Sequence, residues 1–137
     1  MSFDPYLMFD GDCRAAFTRY HEIFGGDLTI IRMGDAPDAE APADQADLVI
    51  HAALNVGGRL LMGSDDPTGG NTGAVERSYV YHDVPDVATA DKVYDALADG
   101  GEATQPLMET FFSPRWGMCV DRWGVCWMVG VPGPQTP

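Results

Sequence analysis

Cysteine and histidine, the side chains most suited to nucleophilic and acid–base chemistry near neutral pH, are sparse in this chain of 137 residues. It has three cysteines and three histidines, and two of the cysteines lie in the stretch "RWGMCVDRWGVCWM", in which Arg-Trp-Gly-x-Cys occurs twice. A zinc site would need more ligands at closer spacing, and a heptad repeat would need more copies without glycine. The repeat therefore predicts a β-hairpin whose type I turn is Asp121–Gly124.

The register of this hairpin decides what its cysteines can do. A type I turn closed by a glycine bulge pairs Val120 with Cys126. It also pairs Cys119 with Trp127, so that the two cysteines point to opposite faces and cannot form a disulfide. A nucleophilic Cys126 would need a nearby base and a lowered pKa, and neither is evident in the sequence. A small core residue is the favoured interpretation of Cys126.

His51 is the histidine that strand alternation places in a polar group. If Gly57-Gly58 forms a two-residue turn, Ala53 lies opposite Met62. One face then carries the side chains of His51, Asn55, Met62 and Ser64, a grouping that suits the orientation of a ligand in an apolar pocket. A histidine satisfied by a neighbouring hydroxyl or carbonyl is the alternative to a general base, because no partner that would orient the ring is evident.

A second group of candidate binding residues follows the predicted helix of the C-terminal half. The stretch "METFFSPRW" contains Glu109, Phe111, Phe112 and Trp116. Aromatic rings with one carboxylate suit a cation or a flat aromatic group. An ordinary sheet core or a contact in a dimer explains the same residues equally well, and the sequence leaves both open.

The elements that would position these residues occur twice in the same order. The first set has strands at 6–9, 27–33, 48–56 and 59–64, a helix between Asp12 and Gly25-Gly26, and a mobile acidic loop at 34–47. The second has a strand at 78–84, a helix ended by Gly100-Gly101, a strand or loop at 102–114, and the hairpin. This order predicts an α+β fold of two βαβββ modules in a single domain. The predicted bounds are 1–66 for module 1, 67–73 for a linker, 74–132 for module 2 and 133–137 for a tail.

Charge and composition exclude several classes of partner. The eight Lys and Arg residues are outnumbered by 21 Asp and Glu residues, giving a formal charge of -13. Nucleic acid is therefore not an expected partner. The acid excess indicates either simple solubility or an acidic groove for a cationic ligand. No apolar run approaches the ~20 residues of a membrane span, and no signal segment opens the sequence, so we expect no membrane association and a cytoplasmic location.

Four stretches resemble the PhnB-like branch of the vicinal-oxygen-chelate superfamily of glyoxalase, bleomycin-resistance and dioxygenase proteins. They are "PYLMFDGDCRAAFTRYHEIFGG", "IHAALNVGGRLLMGSD", "METFF" and "DRWGVCWMVGV". The resemblance implies a glyoxalase/bleomycin-resistance-like fold with curved mixed sheets, a homodimer and a cup-shaped site. This branch also carries a demethylubiquinone-methyltransferase label. We set that label aside because no glycine-rich methyl-donor loop follows a strand.

The resemblance also implies where a metal would bind. Metal-using members of the superfamily place four ligands, usually His or Glu, on the first and last strands of each module. Counting back from the helix starts puts Pro5 and Tyr79 at the first-strand positions, and counting along the last strands puts Met62 and Met128 at the others. None of the four is a good ligand for a hard or borderline divalent cation. We therefore predict no catalytic metal and no cofactor, which weighs against glyoxalase or dioxygenase chemistry.

The sequence thus favours a small-molecule-binding protein and leaves open whether it is an enzyme. Its expected ligand is cationic or aromatic. The predicted pocket consists of His51, Asn55, Met62, Ser64, Glu109, Phe111, Trp116, Cys126 and Met128. One alternative is a metal-dependent lyase or dioxygenase-type enzyme with ligands outside the expected positions, drawn from His51, Glu109 and Asp65. Another is a structural or regulatory dimer with a vestigial pocket.

Overall fold

The computed structural model describes residues 3–35, 42–67 and 78–133. The chain forms two compact units, Met1–Thr72 and Gly73–Pro137. The predicted linker and tail fall largely outside the described residues, as does the middle of the predicted acidic loop.

The first unit contains one helix and a four-stranded mixed sheet. The strand order is β1-β4-β3-β2, in which β1 runs parallel to β4 and the other neighbours are antiparallel. The described part of the acidic loop contains two 3₁₀ turns, Met33–Asp35 and Ala43–Gln45. The elements are β1 Tyr6–Phe9, α1 Cys13–Phe24, β2 Asp27–Arg32, β3 Val49–Val56 and β4 Arg59–Asp65.

The second unit repeats this arrangement. Its strand order is β5-β8-β7-β6, again with one parallel pair, β5 with β8. The segment predicted as strand or loop becomes a strand that ends at Met108. The elements are β5 Val80–Asp83, α2 Val87–Ala98, β6 Glu102–Met108, β7 Trp116–Val120 and β8 Cys126–Gly130. The predicted α+β fold with two βαβββ modules is confirmed.

Each helix covers one face of its own sheet. α1 contacts β2, β3 and β4, and α2 contacts β6, β7 and β8. The spacing of the buried helical residues follows the helical period, so each helix presents one apolar stripe. The buried residues of α1 are Cys13, Ala16, Phe17 and Tyr20, and those of α2 are Ala90, Val93, Tyr94 and Leu97.

Both hairpins have the predicted registers. Ala53 lies opposite Met62, and the turn glycines Gly57 and Gly58 have positive φ values of 59° and 84°. This conformation matches the twist of a two-residue hairpin and strains other residues. In the second unit Val120 lies opposite Cys126, as predicted. Both registers follow from turn chemistry because a hairpin pairs residues that are close in sequence.

The three cysteines are buried thiols. Cys119 lies opposite Trp127, so it points toward α2, whereas Cys126 points to the other face. Burial raises the pKa of the Cys13 and Cys119 thiols to about 12, with further upward contributions from Asp65 and Asp121 respectively. Because a thiolate is the reactive form, these two cysteines are structural residues.

Two buried carboxylates tie loop and helix ends to the sheets. Asp65 at the end of β4 accepts from the N–H groups of Cys13 and Val49, both at 2.9 Å. Cys13 is the first residue of α1, so Asp65 holds a negative charge at the helix N-terminus, where the helix dipole stabilises it.

Asp121 performs the corresponding task in the second unit. Its carboxylate accepts from the backbone N–H groups of Trp123 and Val125, both at 3.0 Å, and from the indole N–H of Trp127 at 2.9 Å. These bonds join the β7–β8 turn to the most buried large side chain of the unit.

Candidate functional site: the open sheet faces

The face of each sheet that points away from its helix carries the candidate residues. We call them the first and second open faces. Alternation along the strands assigns their members. The first open face carries Tyr6, Met8, His51, Ala53, Asn55, Met62 and Ser64, and the second carries Tyr81, Asp83, Trp116, Met118, Cys126, Met128 and Gly130.

A tyrosine and a histidine form the most polar contact of the first open face. The Tyr6 hydroxyl lies 3.2 Å from Nδ1 of His51, and their rings stack with centroids 5.8 Å apart. His51 is half-buried. Tyr6 is thus the hydroxyl partner that was not evident in the sequence, and its contact at Nδ1 orients the imidazole ring.

A serine and two thioethers continue this face. Ser64 is buried, and its hydroxyl donates to the Met8 sulfur at 3.5 Å. Met62 lies between Tyr6 and Ala53, its neighbours on β1 and β3. The structure therefore brings His51, Met62 and Ser64 to one face of two adjacent strands, β3 and β4.

Asn55 lies on the same face but is engaged by the hairpin turn. Its side-chain oxygen accepts from the Gly58 N–H at 3.0 Å. Asparagine side chains commonly stabilise turns in this way. Asn55 is also exposed at the end of β3. Its amide oxygen thus supports the turn.

On the second open face, Tyr81 and Trp116 meet over a glycine. A Cβ atom on Gly130 would stand 2.7 Å from the Tyr81 hydroxyl oxygen and 3.2 Å from Cδ1 of Trp116. Both rings therefore occupy the space that a side chain would fill. Burial raises the pKa of Tyr81, and the Asp83 carboxylate raises it further. The phenol is therefore uncharged at neutral pH.

An aromatic row extends from Trp116 into the loop that follows β6. Phe112 packs edge-on against Trp116 with ring centroids 5.6 Å apart, and Phe111 packs edge-on against Phe112 at 5.2 Å. Phe111 is 89% exposed. Glu109, predicted for the same pocket, is also exposed in this loop.

Ser113 anchors this loop. Its hydroxyl lies 2.8 Å from the carbonyl oxygen of Arg115 and 2.7 Å from that of Val131, and it accepts from the Arg115 N–H at 3.2 Å. Val131 follows β8 directly, so the bonds fix the aromatic loop against the strand that carries Gly130.

Sulfur atoms occupy the centre of the second open face. Met128 lies opposite Met118 on β7 and beside Tyr81 on β5. Cys126 points to the same side and is buried, with 5% exposure. Thioethers and a buried thiol make this part of the face apolar and polarisable.

The structure corrects the first-strand positions assigned by counting. The residues beside Met62 and Met128 are Tyr6 and Tyr81, not Pro5 and Tyr79. The count misses Tyr6 by one residue and Tyr81 by two residues. It assumes that the first-strand position precedes the helix by the same number of residues in both modules, whereas Tyr81 lies closer in sequence to the start of its helix than Tyr6 does. Tyr6 and Tyr81 therefore occupy equivalent positions, as the pair Met62 and Met128 does.

The candidate alternative ligands do not assemble within the first module. Asp65 faces α1 and is occupied by two backbone N–H groups, whereas His51 lies on the opposite face. Across residues 3–35, 42–67 and 78–133, no three His, Cys, Asp or Glu side chains are grouped as a metal site would require. That residues of both modules line one cup remains a prediction.

Comparison with known proteins defines the class first. Two βαβββ units with a helix on one face of each sheet make a glyoxalase/bleomycin-resistance-like fold. A solved glyoxylase/bleomycin resistance protein/dioxygenase domain from Frankia sp. EAN1pec has this fold, with a TM-score of 0.68 and 15% identity over 98% of this chain and 94% of that chain.

The family follows from the sequence. The model described as 3-demethylubiquinone-9 3-methyltransferase matches residues 1–130, and the chain belongs to this PhnB-like family. Protein PA1353 from Pseudomonas aeruginosa is 38% identical, with a TM-score of 0.88 over 97% of this chain and 98% of that chain. The PhnB protein from Bacillus cereus is 25% identical, with a TM-score of 0.79 over 96% and 99%. The resemblance predicted from the four stretches is confirmed.

Tyr6, Tyr81 and Gly130 are among the open-face residues that sequence reasoning missed. Tyr6 and Tyr81 are joined to their neighbours by parallel pairing between distant strands, which no local turn specifies. A signal was present, since each tyrosine precedes a helix start by a similar interval, at Cys13 and Val87.

No helix in the described part of the chain is long and apolar enough to cross a membrane.

Proposed function

We propose that this protein binds a small molecule on its open sheet faces and uses no catalytic metal there. The observation that carries the proposal is the pairing of a tyrosine with a methionine where the superfamily's metal ligands are expected. Tyr6 lies beside Met62, and Tyr81 lies beside Met128. A neutral phenol and a thioether are poor ligands for Mg²⁺, Mn²⁺ or Zn²⁺.

The same side chains suit an apolar ligand with a few polar groups. Thioethers and aromatic rings supply area for burial at about 25 cal/mol per Å² of apolar surface. The Tyr6–His51 pair and the Ser64 hydroxyl supply directional contacts on the first open face. Binding sites for small molecules typically combine a mainly apolar lining with a few placed polar groups. A cationic or aromatic ligand is our expectation, given the formal charge of -13.

Methyl transfer, which the family description names, is not the activity that the fold supports. Donor-binding methyl-transfer sites of the doubly wound type need a glycine-rich loop between a parallel strand and a helix. Here β1 joins α1 through Asp10–Asp12, a segment with one glycine, Gly11. Each sheet is mixed and is covered by a helix on one face.

Metal content and ligand binding test the proposal together. Untagged protein purified without chelators is analysed for bound metal by mass spectrometry. A thermal-shift screen then compares cationic, aromatic and neutral compounds, with S-adenosylmethionine as a further arm. We expect substoichiometric metal, stabilisation by some of the organic compounds and no shift with the methyl donor. One equivalent of tightly held zinc, nickel, iron or manganese would overturn the metal-free part of the proposal and favour the metal-dependent enzyme.

The homodimer and the cytoplasmic location belong to the same proposal. Each sheet ends in two edge strands, β1 and β2 in the first and β5 and β6 in the second, and partner strands commonly cover such edges. The three thiols without disulfides fit a reducing compartment. Light scattering at micromolar concentration checks the dimer, and a monomer mass would refute it.

A further inference from the structure

On the second open face, Tyr81 extends the aromatic row of Trp116, Phe112 and Phe111 across a glycine. Tyr81 on β5 and Trp116 on β7 come from opposite sides of β8, and Gly130 on β8 lies between them. The hydroxyl of Tyr81 and Cδ1 of Trp116 both reach the space beside the Gly130 Cα atom. Two aromatic rings on neighbouring strands thus border one point of the sheet.

This row is held in place rather than merely exposed. Phe112 contacts the Trp116 ring edge-on, and the Ser113 hydroxyl ties the loop to the end of β8. Tyr81 is 49% exposed and Phe111 is 89% exposed, so solvent reaches both ends of the row. Preorganised rings lose little conformational freedom when a ligand binds, which favours binding.

A carboxylate lies beside this row. Asp83 lies on the same face two residues beyond Tyr81. Its negative charge adds to the effect of burial in raising the pKa of the Tyr81 hydroxyl. Within residues 78–133 the basic side chains are Lys92, Arg115 and Arg122. Lys92 is on α2, and the two arginines bind carboxylates of Asp91 and Asp99 respectively, at the helix and its C-terminal end. The described basic residues of the module therefore supply no cation to the face.

We propose that Tyr81, Trp116 and the loop phenylalanines form a binding site for a small organic ammonium ion, with Gly130 as the residue that admits the Tyr81 ring. The faces of electron-rich rings attract a cation, and a nearby carboxylate strengthens that attraction. An alkylated ammonium ion suits the site because it combines a positive charge with a weakly hydrated apolar surface. The inference rests on the proposed function for its use of the open face and adds the chemical class of the ligand.

The test compares choline with its neutral tert-butyl analogue, in which carbon replaces the ammonium nitrogen. Both are titrated into the untagged full chain at constant ionic strength, and binding is followed by NMR chemical shifts. Choline is expected to bind at least about fivefold more tightly than the neutral analogue, because a cation–π contact contributes about 1 kcal/mol or more. Equal affinities, or no binding of choline, would overturn the inference.

Substitutions locate the site. Trp116→Leu is expected to weaken choline binding about 5- to 30-fold. Trp123→Leu is the matched control, because Trp123 lies in the β7–β8 turn, where its ring contacts Arg122. The affinity of the Trp123→Leu variant for choline should equal that of the wild type. Equal effects of the two substitutions, or unchanged binding in Trp116→Leu, would place the cation elsewhere and refute the site.

Gly130→Ala keeps the test decisive if Trp116→Leu fails to fold. Gly130 has no positive φ, so alanine is compatible with its backbone, and the nearest atom is the end of the Tyr81 side chain. The added methyl group should displace the phenol and weaken choline binding about two- to fivefold, with little change for the neutral analogue. An unchanged affinity would remove Gly130 from the inference. Binding of neutral compounds without choline counts against the ammonium site alone, whereas bound metal counts against the proposed function.

Discussion

At equivalent positions the first module carries Tyr6, His51 and Ser64, and the second carries Tyr81, Trp116 and Gly130. Both tyrosines lie beside a methionine of the last strand, Met62 or Met128. Ala53 lies opposite Met62, and His51 lies two residues before Ala53. In the same way, Met118 lies opposite Met128, and Trp116 lies two residues before Met118.

The two tyrosines therefore have the same backbone position and different partners. Tyr6 hydrogen-bonds an imidazole, whereas Tyr81 lies over a glycine beside an indole. Replacing histidine and serine by tryptophan and glycine converts a polar contact into an aromatic one without changing the strand order. The helix-facing side of each sheet is constrained by close packing against the helix, so a change of side-chain volume costs more there than on the open face.

The helix-facing sides of the two modules reach similar ends by different means. α2 begins with a local cap, since the Asp86 carboxylate accepts from the Thr89 N–H at 2.8 Å. This bond lowers the pKa of Asp86. At α1 the N-cap residue Asp12 makes no side-chain capping bond, and the carboxylate of Asp65 accepts from the Cys13 N–H instead. The four predictions below test this comparison, from the largest expected effect to the smallest.

Asp121→Ala should destabilise the second module by about 3–5 kcal/mol. The substitution leaves three donors without their acceptor, the buried Trp127 indole and the part-buried N–H groups of Trp123 and Val125, and each loss costs about 1–3 kcal/mol. All three tryptophans lie in this module, so urea unfolding followed by tryptophan fluorescence reports on it. Asp99→Ala is the control, because the ion pair that it removes, with Arg122, is exposed and contributes at most about 1 kcal/mol. Equal losses in both variants would refute the role of Asp121.

Asp65→Ala should destabilise the first module by about 2–4 kcal/mol. It removes the acceptor of the Cys13 and Val49 N–H groups and the negative charge at the α1 N-terminus. Amide hydrogen exchange in α1 and β3 measures the effect where tryptophan is absent. Asp12→Ala should change stability by less than about 0.5 kcal/mol, because Asp12 makes no capping bond. A larger effect at Asp12 than at Asp65 would reverse the assignment of the cap.

Gly63→Ala should cost about 1–3 kcal/mol, and Gly130→Ala less than about 1 kcal/mol. Both glycines lie on last strands, but Gly63 faces α1. A Cβ there would stand 2.7 Å from the Leu7 carbonyl oxygen and from the Phe17 ring, whereas at Gly130 it meets the movable end of Tyr81. Thermal unfolding of the two single variants measures the difference. Equal costs would show that the open face is packed as rigidly as the helix-facing side.

His82→Leu should flatten the dependence of second-module stability on pH. His82 faces α2, at the position where the first module has Leu7. Burial lowers the pKa of His82, and the Asp83 carboxylate opposes this shift. The unfolded state therefore binds the proton more readily, and stability is lost as pH falls below the ordinary histidine pKa of about 6.5.

The expected loss in the wild type is no more than about 1 kcal/mol between about pH 7.5 and pH 5.5. His21→Leu, on the first helix, is the comparison variant. Urea unfolding at several pH values measures the slopes. An unchanged slope in His82→Leu would assign the pH dependence to other groups.

The sequence by itself determined the elements and the hairpins. Apolar periodicity defined both helices, the glycine pairs ended them, and Gly57-Gly58 and Gly124 set the registers of β3–β4 and β7–β8. These features depend on residues within a few positions of each other, where backbone preferences and turn geometry decide the outcome.

Only the tertiary structure decided which distant residues meet. The parallel pairing of β1 with β4 and of β5 with β8 joins strands separated by most of a module, and packing of the helices fixes its register. A slip of one residue would turn Tyr6 and Tyr81 toward the helices. The partner of His51, the cap of α1 by Asp65 and the rings over Gly130 all depend on that register, so no local pattern could specify them.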